Sequence, residues 1–223
     1  MDYELLLRSR IFKGLAIKEL IDIFNKIPFR LRKYKPGAVV ALSGEPVENL
    51  LLVISGAVKG EMVDYAGRII KIEDIPAAEA LAPAFIFGNK NKFPVNVVTL
   101  TETEILIINK KDFLRIMMSD DRILANFLDM ISNRSQFLSE KIKFLNFKTI
   151  KAKLAQYILQ LDINNETFIR LNRTQNDLAD FFGVARPSVG RAIHELEEEG
   201  YILADRKEIK ILDREGLSVL TKM

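Results

Sequence analysis

From Asp112 to Phe147 the chain contains neither Pro nor Gly, and within that stretch Leu124, Leu128, Ile131, Ser135, Leu138, Ile142 and Leu145 follow the alternating four- and three-residue steps of an a/d heptad. A strand would scatter these side chains over both faces, so the pattern predicts a helix. From Ser119 to Phe147 that helix would run about 43 Å at 1.5 Å per residue. A second apolar stripe, Ile123, Phe127, Met130, Phe137 and Phe144, lies on an adjacent face. One stripe is expected to pack on a neighbouring domain. The other, with Ser135 as its one polar member, is expected to meet the same helix of a second copy across a two-fold axis. The alternative, one amphipathic helix buried in a monomer, leaves the second apolar face hard to cover.

Before this helix the texture is different. Residues 4–27 carry apolar positions at helical spacing, from Leu5 and Leu6 to Phe24 and Ile27, and predict short helices ending at Pro28. From Phe29 to Asn109 the strand-length runs AVVAL, NLLLVI, AVKGEMV, IIKIEDI, PVNVVTL and EILIIN are separated by turns containing Gly37, Gly44, Gly56 and Gly67. That alternation predicts an antiparallel sandwich or barrel. A phosphate-cradling Gly loop is not expected, because neither GxGxxG nor GxxxxGK[ST] occurs.

Composition narrows the chemistry. Cysteine is absent and His194 is the sole histidine, which excludes disulfides, thiolate nucleophiles, Cys-ligated zinc or iron–sulfur clusters and multi-His metal centres. No metal site is expected. No apolar run reaches the ~18 residues of a membrane span, and the start MDYELLLRSR lacks the features of a signal peptide. A cytoplasmic protein without a membrane partner is expected. The net charge of +3 hints at a polyanionic partner, yet residues 148–223 carry 12 basic and 12 acidic side chains. Local placement, not bulk charge, has to identify the binding surface.

The last third supplies that placement. TIKAKLAQYILQL predicts a helix and LDINNET a loop. In FIRLNRTQNDLADFFGVARPSVGRAIHELEEEGYILADRKEIKIL, Thr174 with Asp177 marks a helix N-terminus, and Gly183 marks its end. A second helix is expected to begin near Arg186, with Pro187 in its first turn, and to run to Gly200. Two helices joined by a short Gly-containing turn form a helix-turn-helix, and YILA and EIKIL around DRK predict a hairpin wing. Val189, Ile193 and Leu196 would face the core, leaving Arg186, Ser188 and Arg191 outward. An arginine fork can donate twice to guanine O6 and N7. Thr174, Gln175 and Asn176, at a positive helix end, can meet phosphates. The plain alternative is that both arginines are surface charges paired with Glu195 or Glu198, and His194 is expected to be a surface residue beyond the base contacts.

Together these segments resemble the Crp–Fnr family of transcription regulators over essentially the whole chain. GVARPSVGRAIHELEEEGYI is similar to the family's recognition-helix pattern, and YKPGAVVALSGEPVENLLLVISGAVKG is similar to the opening of its β-roll. The resemblance implies an α+β fold: an N-terminal double-stranded β-helix (a cyclic-nucleotide-binding-like β-roll) over 1–118, a dimerisation helix over 119–147, and a C-terminal winged helix-turn-helix over 148–223. It implies a homodimeric, sequence-specific regulator of double-stranded DNA that is not an enzyme and that meets RNA polymerase if it activates. Arg186 and Arg191 match the family's base- or backbone-contacting arginines, and Thr174 and Gln175 its phosphate contacts. Ala185 departs from a usual capping Ser. Pro187 departs from a Glu that many members use to read cytosine, which implies a different operator.

Cyclic-nucleotide members hold the phosphate with a Gly-Glu pair and a following Arg-Ser. Here Glu79 is assigned to the Glu position, but Phe93-Pro94 replace Arg-Ser. A buried phosphate without its guanidinium is costly, which argues against cyclic AMP or GMP; Lys90 and Lys92 are poor substitutes. The expected effector pocket comprises Met62, Glu79, Leu81, Phe85, Phe87 and Phe93, an apolar and aromatic set that permits haem with Met62 as an unusual axial donor, or is simply a filled core. The ALAPAFIFG…FPVNV wording is similar to family members governing nitrosative-stress and hybrid-cluster-protein genes in anaerobes, which makes a haem-dependent nitric-oxide sensor the alternative. Two other classes stay in view. One is an enzyme using the acidic residues Glu73, Asp74 and Glu79; the other is a ligand-binding scaffold whose winged helix meets a protein instead of DNA.

Overall fold

The Gly turns at 37, 56 and 67 each join consecutive strands. The most constrained is Gly56, with φ of 81°, where a Cβ would stand 2.2 Å from the Glu102 carbonyl oxygen. The computed structural model describes residues 2–64, 66–145, 147–162, 166 and 168–222, and in it the chain divides into two compact units at Arg134/Ser135. Residues 163–165 and 167 of the expected LDINNET loop lie outside the described residues, as does the side chain of Leu145.

In the first unit, short helices α1 (Tyr3–Leu7) and α2 (Ile17–Phe24) precede eight strands, β1 (Arg30–Tyr34), β2 (Val39–Ala41), β3 (Asn49–Ser55), β4 (Ala57–Val63), β5 (Ile69–Pro76), β6 (Ala80–Leu81), β7 (Asn96–Thr99) and β8 (Thr103–Asn109). They form two four-stranded antiparallel sheets, ordered β1-β8-β3-β6 and β2-β7-β4-β5. Every run expected to be a strand contains one. β1 was not signalled, because RLRKY is an edge strand with four of five residues exposed and lacks the alternation of a half-buried one. β3 is buried along its whole centre, which explains its unbroken apolar run: Leu50, Leu52, Val58, Val97 and Ile105 meet Phe12, Leu20 and Phe24 in one core.

The Pro- and Gly-free stretch is two helices, α3 (Lys110–Ser119) and α4 (Asp121–Leu145). Asp120 divides them with an extended backbone, and its carboxylate accepts from the Arg122 N–H at 3.0 Å in the manner of an N-cap. The Arg122 guanidinium also bonds Asp120 and Glu19, at 2.7 and 2.8 Å, and this cation holds both carboxyls below their ordinary pKa. The long helix therefore starts two residues after the expected Ser119. Of its 25 residues, those up to Arg134 belong to the first unit and the rest to the second.

The second unit continues with α5 (Ile150–Leu161), β9 (Phe168–Arg170), α6 (Gln175–Phe182), α7 (Arg186–Glu198), β10 (Ile202–Asp205), β11 (Glu208–Ile211) and α8 (Arg214–Leu220). The expected wing is the β10–β11 hairpin; β9 and α8 are additions, β9 pairing with β11 as the third strand of the sheet. Phe144 from the end of α4 packs against Phe181 and Phe182 of α6, with centroids 5.0 and 5.4 Å away, in a core with Leu178, Val189, Ile193, Leu196 and Leu217. No helix among the described residues is long and apolar enough to cross a membrane.

Candidate nucleic-acid interface

Helix α6 begins with a reciprocal cap. The Thr174 hydroxyl oxygen accepts from the Asp177 N–H at 3.2 Å, while the Asp177 carboxylate accepts from the Thr174 N–H at 2.9 Å and from its hydroxyl at 2.7 Å. These bonds hold the Asp177 carboxyl below its ordinary pKa. The Thr174 hydroxyl proton is therefore engaged inside the protein. What the helix start offers outward is its N–H groups and the exposed Asn176, with Gln175 half-buried beside Gly190 of α7. Gly183 ends the helix at φ of 68°, and the Val184 N–H donating to the Ala179 carbonyl at 2.9 Å closes a Schellman turn. The reversal into α7 thus follows from the one residue that enters the left-handed region without strain.

Helix α7 buries Val189, Ile193 and Leu196 and leaves Arg186 and Arg191 exposed. Ala185 supplies no side-chain cap, and Pro187 sits in the first turn where its missing N–H costs little. Arg191 Nη2 donates to the half-buried Ser188 Oγ at 3.3 Å.

The acids in the last turns of α7 and at its C-cap, Glu199, all have contacts within the protein. Lys151 of α5 pairs with Glu199 at 2.6 Å and Glu195 at 3.8 Å, His194 with Glu198 at 3.2 Å, and Glu197 accepts from the Ala204 N–H at 2.8 Å. Glu199 raises the Lys151 pKa through the bond it accepts. Among the described residues neither Arg186 nor Arg191 has an acidic partner. The start of α7 is therefore cationic and open, while its acidic end is tied down. A cavity of about 360 Å³, lined by Thr149, Lys151, Ser188 and Arg191 among others, opens beside it where Thr149 caps α5.

The residues expected to line an effector pocket do not share one environment. Leu81 and Phe93 are buried in the first core and Phe85 packs against it. Phe87 is exposed and lies beside the Phe113 and Phe127 rings, 6.3 and 5.9 Å between centroids. Glu79 turns to Arg10 at 3.6 Å, and Met62, the axial donor considered for haem, is 42% exposed. A methyl group on Gly60, in the buried part of β4, would come 3.1 Å from Val95, so that position is filled by the protein. Glu61 is buried and paired with the half-buried Lys59 at 2.7 Å, a contact not signalled by strand alternation; a bulge in the pairing at Gly60/Glu61 breaks the strict alternation there. Among the described residues no group of three or more His, Cys, Asp or Glu side chains is placed to hold a metal ion.

A β-roll, a long helix and a winged helix-turn-helix whose second helix exposes two arginines without acidic partners define a DNA-binding transcription regulator. Residues 31–120 match the cyclic nucleotide-binding domain and residues 152–220 the Crp-like helix-turn-helix domain. The chain is 27% identical over 229 residues to the CRP-like cAMP-activated global transcriptional regulator of Mycobacterium tuberculosis, covering 96% of this chain and 97% of that protein. A transcriptional regulator from Thermotoga maritima is 31% identical, with a TM-score of 0.54 over 60% of this chain and all (100%) of its own. The catabolite activator protein of Thermus thermophilus shares the fold, at 20% identity and a TM-score of 0.56 over 96% of this chain and 99% of its own. The chain belongs to the Crp–Fnr family of transcription regulators. The relatives are regulators rather than enzymes.

Proposed function

We propose that this regulator binds a two-fold DNA operator as a homodimer, placing α7 in the major groove with Arg186 and Arg191 toward base edges and the N–H groups at the start of α6 toward phosphate. The carrying observation is the charge arrangement on α7: two exposed arginines without acidic partners at its start, and acids engaged by Lys151, His194 and Ala204 at its end. The dimer reading is supported by the heptad stripe of α4, where Leu124, Leu128, Leu138 and Ile142 are 39, 54, 45 and 61% exposed, while Ile123, Phe127 and Phe144 of the other stripe are buried. Ser135 is exposed and Ile131 partly covered by the first core. Two half-sites about one helical turn (~34 Å) apart would suit such a dimer. RNA polymerase is a partner of the DNA-bound form if it activates. Arg186→Ala is expected to lower specific affinity by about 1–3 kcal/mol at fixed salt without lowering the melting temperature; unchanged affinity in a gel-shift assay contradicts the assignment.

The effector reading departs from the relatives named as cAMP-activated. With Phe93 buried in the core where the resemblance places a phosphate-binding Arg, the β-roll is proposed to take an effector without a phosphate, if it takes one. Titration calorimetry with cyclic AMP is expected to give no binding heat, and a saturable isotherm would reverse this reading.

A further inference from the structure

Arg173 immediately precedes the cap of α6, but its side chain turns to aromatic rings and a carboxylate. Its guanidinium carbon stands 3.8 Å from the centroid of the Phe181 ring and 5.6 Å from that of Phe137, and Nη2 lies 3.7 Å from Glu140 Oε2. Phe137 and Glu140 are three residues apart on α4, hence neighbours on one face of it, and Phe181 is on α6. The rings of Phe137 and Phe144 also touch Phe181, at 5.7 and 5.0 Å. Ring-on-ring burial is driven mainly by area removed from water with only a modest preference for offset or edge-on geometry, so those contacts hold the helices together but limit their rotation less sharply. A planar guanidinium is less tolerant, since it must stay over a ring face at 3.8 Å while keeping a carboxylate within ion-pair range at 3.7 Å. Turning α4 by one residue, about 100°, would carry both Phe137 and Glu140 away from it.

We propose that Arg173 is a positioning residue: it sets the rotation of the α6–α7 pair on the end of α4. In a dimer that setting fixes the separation of the two recognition helices and hence the spacing of the half-sites they accept. This rests on the dimeric DNA-binding reading above. Arg173 reads no base; it decides where the reading helix stands.

The test needs no known operator. A pool of duplexes carrying randomised half-sites as inverted repeats, with central spacers varied one base pair at a time, is selected on the full-length protein and sequenced. The native chain is expected to enrich one half-site sequence at one spacing. Arg173→Gln is expected to enrich the same half-site but to lose spacing preference by about tenfold, the scale of a partly desolvated cation–π contact. Arg173→Lys, which keeps the charge and loses the plane, should fall between. Glu140→Gln, at a side chain 58% exposed, should relax spacing without unfolding the protein, which keeps the test valid if Arg173 variants fold poorly. An unchanged single spacing in Glu140→Gln and in a folded Arg173→Gln overturns the proposal. So does a native chain that selects a half-site at every spacing, although DNA reading itself then stands. A native chain that selects no sequence removes the DNA-binding reading instead.

Discussion

The β4–β5 ribbon and helix α7 both carry several charged side chains, but with opposite outcomes. On the ribbon every charge has a partner: Lys59 with Glu61, Asp64 with Arg68, Lys71 with Asp74, and Glu73 with Arg134. What remains free is apolar, with Met62, Val63, Ile69, Ile70 and Ile72 all exposed. On α7 the acids are taken and the two arginines are left over. Charges that satisfy each other inside the molecule have little to offer a polyanion; guanidiniums without an acidic partner keep most of their donors for an anionic acceptor. The comparison separates a surface suited to apolar contact from one suited to nucleic acid, although both segments mix charged and apolar residues.

The largest expected effect comes from breaking the proposed dimer without touching α7. Leu128→Lys, at an exposed heptad position, should yield monomers in sedimentation velocity and weaken operator binding by roughly 10²–10⁴-fold through loss of the second half-site. Undiminished binding by a monomer would show that one α7 suffices.

The direct contrast pairs Arg191→Ala with Lys71→Ala. The first should cost about 1–3 kcal/mol of specific binding, and the salt dependence of what remains should shallow if a phosphate contact is also lost. The second should leave DNA affinity unchanged and alter stability by no more than about 1 kcal/mol. Equal effects in a filter-binding assay would erase the distinction between the two surfaces.

Smaller still is Thr174→Ala. Because the Thr174 side chain is engaged with Asp177, its removal should appear mainly as about 1 kcal/mol of lost stability in denaturant unfolding. A large loss of DNA affinity with unchanged stability would mean that the hydroxyl serves phosphate rather than the cap.

The last third of the chain was the most legible, because its signals are local. A cap at Thr174, a left-handed Gly183, Pro187 in a first turn and the burial pattern of Val189, Ile193 and Leu196 all act within a few residues, and each stands where it was expected. β9 and α8 escaped notice because three residues of strand and seven of helix carry too little periodicity to stand out. In the first unit the turns were readable but the interior was not. Whether Phe93 lines a hollow or fills a core depends on what arrives opposite it from distant strands. Asp120 interrupts a stretch free of Pro and Gly because a carboxylate can cap a helix, and Arg122 with Glu19 secures it from a segment about a hundred residues away.

By itself the sequence determined the order of parts: Gly-turned strands, a two-striped helix, and a helix-turn-helix with a wing, since periodicity and turn chemistry are properties of neighbouring residues. Tertiary structure alone decided which charges remain unspent. Lys151 reaches Glu195 and Glu199 from another helix, and Arg173 is drawn onto Phe137, Glu140 and Phe181. Partnership between charges is a matter of distance in space, which linear spacing does not encode beyond a single helix or hairpin.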